Sequence, residues 1–174
     1  KAITFISENG FREERTWKKL NLNIASIVYF LKDIKIFKGD RIAAYMPNCI
    51  ETVEAFLATS SIGGIWSSCS PDFGTNGVVE RFSQIRPKVL FISDQYFYNG
   101  KSINIIERLP KILEHIPSIK NIVIVNYPGK KFKKISQKFK KLKLFKWNHC
   151  IKKNFSEIVF NKYDFESELA ILYS

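Results

Sequence analysis

Apolar residues with a helical period alternate along the chain with short continuous apolar runs. One-sided apolar patterns predict three helices, at Trp17–Ile34, Ile50–Ser61 and around Val78–Ile85. Between them, short apolar runs predict buried strands at Arg41–Tyr45, Ile65–Ser68, Val89–Ile92 and Asn121–Val125. Because helices that alternate with short strands form βαβ units, we predict an α/β fold with a mostly parallel sheet and flanking helices.

A β-hairpin is predicted ahead of this sheet. Asn9-Gly10 stands between two β-prone runs, Ala2–Ser7 and Phe11–Trp17. Asn-Gly is favoured in tight hairpin turns because both residues tolerate positive φ. Thr16 is placed to cap the helix that follows, because a threonine oxygen can accept a bond from a free N–H of the first helical turn.

The later part of the chain has a less regular pattern. Apolar residues from Ile105 to Leu113 predict a helix that Pro110 kinks or splits. Two further strands are predicted at Ser156–Phe160 and Leu169–Tyr173.

The segment 130–146 reads KKFKKISQKFKKLKLFK and predicts a basic amphipathic helix. Its apolar residues Phe132, Ile135, Phe139 and Leu142 follow one another at spacings of three, four and three. Such a helix either docks on the domain through its apolar stripe or binds a membrane surface or a calmodulin-like partner.

The formal net charge of +12 comes from 28 basic and 16 acidic residues, with lysine predominant. This charge has two interpretations. It can form a surface that binds nucleic acid or an anionic membrane, or it can come from lysines spread over solvent-exposed faces. Arginine, whose guanidinium group commonly makes bidentate contacts with bases and phosphates, is scarce, and this favours the second interpretation. No nucleic acid is therefore expected as a partner. No apolar run is long enough to predict a membrane span.

Three cysteines (Cys49, Cys69 and Cys150) stand far apart with no CxxC pair, which favours a reducing, cytoplasmic setting. Cys49 lies near a helix start, where a thiol pKa can fall, but a buried and inert thiol is the preferred interpretation. His115 and His149 have no second ligand at metal spacing. No dinucleotide fingerprint or Walker A loop is present, so no catalytic or metal-binding residue is predicted in this chain.

Several motifs together resemble the acetoacetyl-CoA synthetases, in the AMP-forming acyl-adenylate superfamily. The narrowest are the runs at 65–74 (IWSSCSPDFG) and 96–101 (YFYNGK). Less specific matches are Gly39-Asp40-Arg41, Tyr45-Met46-Pro47-Asn48, Arg81-Phe82-Ser83-Gln84-Ile85 and Pro87-Lys88-Val89-Leu90-Phe91. The match is dense from about Thr4 to Lys101 and returns at Leu169–Ser174.

The resemblance implies that residues 1–174 are the N-terminal portion of the large AMP-binding (adenylation) domain. We expect the chain to stop just before the loop that holds the ATP phosphates, and the C-terminal lid domain to lie outside it. The full-length enzyme would join acetoacetate to coenzyme A, using ATP and Mg2+, through an acetoacetyl-adenylate. The fragment alone is expected to be inactive. A related short-chain acyl-CoA synthetase, for acetate or propionate, remains open, as does a basic module that binds nucleic acid or membrane through 130–146.

The resemblance also implies one binding site within the chain, at Tyr98, Asn99, Gly100 and Lys101. In the related acetyl-CoA synthetases the matching loop ends in Arg-x-Gly-Arg and contacts the phosphate end of CoA. Tyr98 has no charge at the first of these positions, whereas Lys101 keeps one at the last. A helix that began at Lys101 would add free N–H groups for a phosphate.

Overall fold

The computed structural model of the protein describes residues 1–129, 142–151 and 160–173. The strands are β1 Ile3–Ile6, β2 Arg12–Arg15, β3 Arg41–Tyr45, β4 Ile65–Cys69, β5 Val89–Ser93, β6 Gln95–Tyr98, β7 Lys101–Asn104, β8 Asn121–Val125 and β9 Lys143–Lys146. The helices are α1 Trp17–Asp33, α2 Ile50–Ser61, α3 Thr75–Ile85, α4 Leu109–His115 and α5 Trp147–Cys150, with a 3-10 turn at Ile106–Arg108.

Five parallel strands form the central sheet in the spatial order β4-β3-β5-β8-β9. Successive side chains of a strand point to opposite faces, so each strand supplies two cores. Ile42 and Ala44 of β3 face the core beneath α1 and α2, whereas Ala43 and Tyr45 face the core beneath α3 and α4. The predicted α/β fold with a mostly parallel sheet is confirmed.

Local sequence signals account for most of the helix boundaries. The Thr16 hydroxyl accepts a hydrogen bond from Lys19 N at 3.2 Å, as predicted for the cap of α1. Helix α2 has the predicted bounds and is followed by Gly63, whose φ of +69° a side chain would strain. Within the described ranges, no helix combines the length and the apolar character that spanning a membrane requires.

The predicted N-terminal hairpin is confirmed as β1 and β2, which pair antiparallel. A buried ionic cluster attaches it to the domain. Arg15 of β2 donates from Nε to Glu54 Oε1 of α2 at 2.9 Å, and from Nη1 to Glu13 at 2.8 Å. Asn23 of α1 donates to the same Glu54 oxygen at 2.8 Å. One carboxylate therefore joins the hairpin to two helices.

Predictions for the later part of the chain had mixed outcomes. The helical stretch is split, as one alternative predicted, into the 3-10 turn Ile106–Arg108 and α4. Pro110 lies in the first turn of α4, where its missing N–H costs nothing, and does not kink that helix. Residues 143–146 are strand β9, which pairs in parallel with β8, and not helix. The rest of the predicted basic helix, residues 130–141, lies outside the described residues.

The predicted C-terminal strands are largely absent from the described structure. The segment Leu169–Tyr173 runs beside β4 but forms only one parallel bridge, between Ala170 and Trp66. Its backbone contacts are nevertheless well made, since Ile171 N donates to Trp66 O at 2.8 Å. Phe160 is not in a strand, and the remainder of the strand predicted at Ser156–Phe160 lies outside the described residues.

Glu54 predicts a pH-dependent stability. Burial raises its pKa to about 7, despite the opposing effects of Arg15 and Asn23. The folded chain therefore retains a proton that the unfolded chain loses near pH 4.5, and this stabilisation is lost as the pH rises through 7. The free energy of unfolding of the wild type, measured by urea denaturation, should increase by about 1 kcal/mol between pH 8 and pH 6 relative to Glu54→Gln. An equal pH dependence in both proteins would contradict this account of Glu54.

Candidate active-site cleft

The strand order reverses between β3 and β5. From β3 the chain passes outward to β4, and it then returns to β5 on the other side of β3. Loops that leave the carboxyl ends of these two strands diverge, and open α/β sheets bind ligands in the crevice between such loops. A cleft of about 430 Å³ lies there, lined by polar residues that include Asn48, Thr52, Ser68, Ser70 and Asp72.

A buried tyrosine and an arginine hold the loop that follows β4. The Tyr45 hydroxyl donates to Phe73 O at 2.6 Å and lies 3.2 Å from Pro71 O. Arg108 donates from Nη1 to the Tyr45 hydroxyl and to Pro71 O, the latter at 2.9 Å. Burial raises the pKa of Tyr45, so its hydroxyl keeps the proton that it donates. The loop is therefore fixed from beneath by two side chains.

Asp72 of the same loop faces the cleft opposite Tyr96. Burial, followed by the hydrogen bond to the Asp72 carboxylate, raises the pKa of Tyr96. Arg81 completes the support of this loop, with its guanidinium 4.3 Å from the centre of the Phe73 ring. The cleft is thus lined in part by neutral hydroxyls and by the exposed carboxylates of Asp72 and Glu8.

Asp94 fixes the opposite wall, directly after β5. Its backbone N–H donates to Val125 O at 2.9 Å, and its side-chain Oδ1 accepts from Tyr127 N at 2.8 Å. Its carbonyl accepts from Ile105 N at 3.0 Å. The side chain is fully buried. Asp94 therefore connects the ends of β5 and β8 to both sides of the segment that β6 and β7 form.

The predicted CoA-contact residues Tyr98, Asn99, Gly100 and Lys101 form the tip of that segment, an antiparallel hairpin. Asn99 and Gly100 have φ of 47° and 74°, the left-handed pair that a type I′ turn requires. Tyr98 and Lys101 are directly opposite each other across the strands, so their side chains share one face. All four residues are exposed beside the cleft.

The structure corrects the predicted helix start at Lys101. Lys101 begins strand β7, so no helical N–H groups are available there for a phosphate. The sequence contained the signal that was missed, because Asn99-Gly100 between the runs 95–98 and 101–104 is the same hairpin signature that correctly identified the first hairpin. Of the predicted phosphate contacts, only the Lys101 side chain and the exposed turn are left as candidates.

The sulfur groups near the cleft are inert. Burial raises the pKa of Cys49 to about 12 and the pKa of Cys69 to about 11, so neither thiol ionises near neutral pH. This confirms the inert interpretation of Cys49. The two histidines are exposed, with His115 Nδ1 near Lys111 O and His149 stacked on Phe145. In the part of the chain that the structure describes, no group of His, Cys, Asp or Glu is arranged to hold a metal.

Comparison with known families decides between the fold's many possible functions. The family model described as "AMP-binding enzyme" matches residues 1–158. The chain belongs to this AMP-binding family. The cleft at the carboxyl edge of the sheet is therefore part of the scaffold of an AMP-binding enzyme, and the hairpin 95–104 lies beside it.

Relatives with narrower descriptions are also similar to the chain. An acetoacetyl-CoA synthetase of Xenopus tropicalis is 44% identical over 115 residues, which cover 66% of this chain and 17% of that protein. A malonamoyl-CoA synthetase of Penicillium aethiopicum is 33% identical over 124 residues, which cover 71% of this chain and 17% of that protein. The chain thus spans about a sixth of the length of these relatives.

One solved structure confirms that this resemblance extends to the three-dimensional fold. The acetoacetyl-CoA synthetase from Streptomyces lividans matches with a TM-score of 0.87 and 29% sequence identity. The match covers 98% of this chain and 25% of that one. The sheet order, the helices on its two faces and the N-terminal hairpin therefore agree with the fold expected from the sequence motifs.

Proposed function

We propose that the full-length protein ligates acetoacetate to coenzyme A through an acetoacetyl-adenylate. The observation that carries the proposal is the 44% identity over 115 residues to an acetoacetyl-CoA synthetase. In this reaction an acetoacetate oxygen attacks the α-phosphorus of ATP and releases pyrophosphate, and the CoA thiol then attacks the acyl carbon and releases AMP. Residues 1–174 form the N-terminal portion of the AMP-binding domain in this proposal.

In this proposal the residues of this chain hold the walls of the cleft in position. Tyr45 and Arg108 fix the loop after β4, and Asp94 fixes the hairpin after β5, so the two walls of the cleft are held before any substrate binds. Preorganised walls reduce the entropy that substrate binding must offset. Because the described residues include no grouped metal ligands, we assign Mg2+ to no residue of this chain.

Lys101 is the residue that we propose contacts coenzyme A. It is exposed, and no acidic side chain of the described residues pairs with it. The left-handed turn at Asn99 and Gly100 gives a phosphate close access to the backbone, because Gly100 has no Cβ and nothing lies within 4 Å of where one would be. Tyr98 supplies an exposed ring on the same face, opposite Lys101.

Two further proposals concern the setting of the reaction. With the described residues supplying cleft walls but no catalytic constellation, the polypeptide 1–174 by itself should not adenylate acetoacetate. A cytoplasmic location fits the three buried free thiols, which a reducing compartment preserves.

A second candidate substrate class is favoured by the similarity to a malonamoyl-CoA synthetase. Malonamate and acetoacetate both carry a carbonyl group at the β position to the carboxylate, and malonamate has an amino group where acetoacetate has its terminal methyl group. A pocket that accepts one has nearly the shape required for the other.

The substrate proposal predicts a rank order of acids. Thioester formation by the full-length enzyme should show the highest kcat/KM with acetoacetate, and lower values with malonamate, acetate and propionate. A missing carbonyl group leaves its partners in the pocket unpaired, which costs the shorter acids about tenfold or more. Preference for malonamate would favour the second candidate, and preference for acetate or propionate would contradict both.

The site proposal predicts that Lys101→Ala raises the KM for CoA by about five- to thirtyfold, because a charge-assisted contact at an exposed site is worth roughly 1–2 kcal/mol. Acetoacetate-dependent ATP–pyrophosphate exchange should remain at the wild-type rate, and Lys101→Arg should restore most of the CoA affinity. Lys18→Ala, which removes an equally exposed charge from α1, is the matched control and should leave both rates unchanged. Slower exchange with an unchanged KM for CoA would place Lys101 outside the CoA site.

A further inference from the structure

We propose that the amino edge of the sheet binds a compact oligophosphate, at a site separate from the cleft at the carboxyl edge. A cleft of about 440 Å³ lies at this edge, between the end of α1, the end of α3 and the starts of three strands. Five of its lining residues are cationic: Lys35, Arg41, Arg86, Lys88 and Lys120. No lining residue is acidic.

Backbone pairing places four cations in a row along this edge. Lys88 N donates to Arg41 O at 2.9 Å, Lys120 N donates to Lys88 O at 3.0 Å, and Lys143 N donates to Lys120 O at 3.0 Å. Adjacent strands lie about 4.8 Å apart, so the row spans roughly 14 Å. Each of these residues is exposed. The basic residues at the starts of β3, β5, β8 and β9 thus form one positive ridge, which the sequence alone did not place together.

Two more cations lie on one side of the ridge and lack partners in the described structure. Lys35 follows the end of α1, and Arg86 follows the end of α3. Among the described residues neither side chain has a hydrogen bond or an ion pair. Both have a left-handed backbone, with φ of 63° and 50°, a conformation that glycine adopts with less strain. The Ser118 hydroxyl, which also lines the cleft, is buried and has no hydrogen-bond partner.

The positive charge of this cleft is only partly neutralised. Asp40 Oδ1 forms an ion pair with Lys88 Nζ at 2.6 Å, and this is the one salt bridge that the described residues make to a cation of the cleft. Arg41 donates from Nε to Ile85 O, and Lys120 donates to Pro117 O at 2.8 Å, so both remain charged beside neutral carbonyls. The potential of such a concave cationic site attracts multivalent anions.

The shape of the site favours a small ligand. A concave site with a donor hydroxyl and converging cations matches a group of two or three linked phosphates, whose oxygens accept several charge-assisted bonds. Nucleic acid is bound along an extended surface that includes aromatic stacking platforms, and no aromatic residue lines this cleft. A vesicle surface would need exposed apolar side chains to insert, and the lining offers only Ile34 and Ile36.

The test is a titration of the full-length protein with inorganic tripolyphosphate, followed by hydrogen exchange and mass spectrometry. We expect slower exchange of the amides of Arg86, Lys88 and residues 118–121. The double variant Lys35→Gln with Arg86→Gln should lose this protection and bind tripolyphosphate about tenfold or more weakly, since each exposed charge-assisted contact contributes a factor of roughly three to ten. Its rate of thioester formation should be unchanged, because the two edges are separate.

The matched control is Lys18→Gln with Lys19→Gln, which removes the same charge from the far end of α1, roughly 20 Å along the helix. This control should bind tripolyphosphate as the wild type does. Equal weakening in both double variants would show that only the net charge matters and would overturn the proposal. Protection confined to the carboxyl-edge loops would also overturn it, as would tighter binding of a single-stranded oligonucleotide or of anionic vesicles through Lys35 and Arg86.

Discussion

The reversal of strand order between β3 and β5 is the constraint on which the rest of the structure depends. Both strands are buried on two faces and lie inside the sheet, and the connections from them leave in opposite directions. This leaves a crevice at their carboxyl ends. The crevice is a consequence of topology, and the residues around it decide what it binds.

Two anchors turn that crevice into a defined cleft. Tyr45 and Arg108 are 63 positions apart in the sequence, yet they meet beneath the loop that follows β4. Asp94 makes a comparable anchor on the other side, where a buried carboxylate satisfies a backbone N–H of the chain after β8. Buried polar groups of this kind are costly unless they are paired, so they hold the loops in one arrangement.

Sequence patterns predicted elements whose cause is local. The bounds of α2 follow from periodicity, the first hairpin follows from Asn9-Gly10, and the start of α1 follows from the cap at Thr16. Contacts between distant residues were not predictable in this way, and neither the Arg108 anchor nor the cationic ridge was foreseen. The error at Lys101 was of a different kind. There the start of a helix was expected although Asn99-Gly100 indicated a turn, and the local signal was the correct one.

The central claim is that the carboxyl edge carries the chemistry and that the hairpin at 95–104 delivers coenzyme A to it. A crystal structure of the full-length protein with bound CoA tests this claim most directly. The account predicts Lys101 Nζ at about 2.7–2.9 Å from a phosphate oxygen of CoA, the distance of a charge-assisted hydrogen bond. A CoA molecule whose phosphates lie away from Tyr98 to Lys101, with the hairpin tip in solvent, would contradict it.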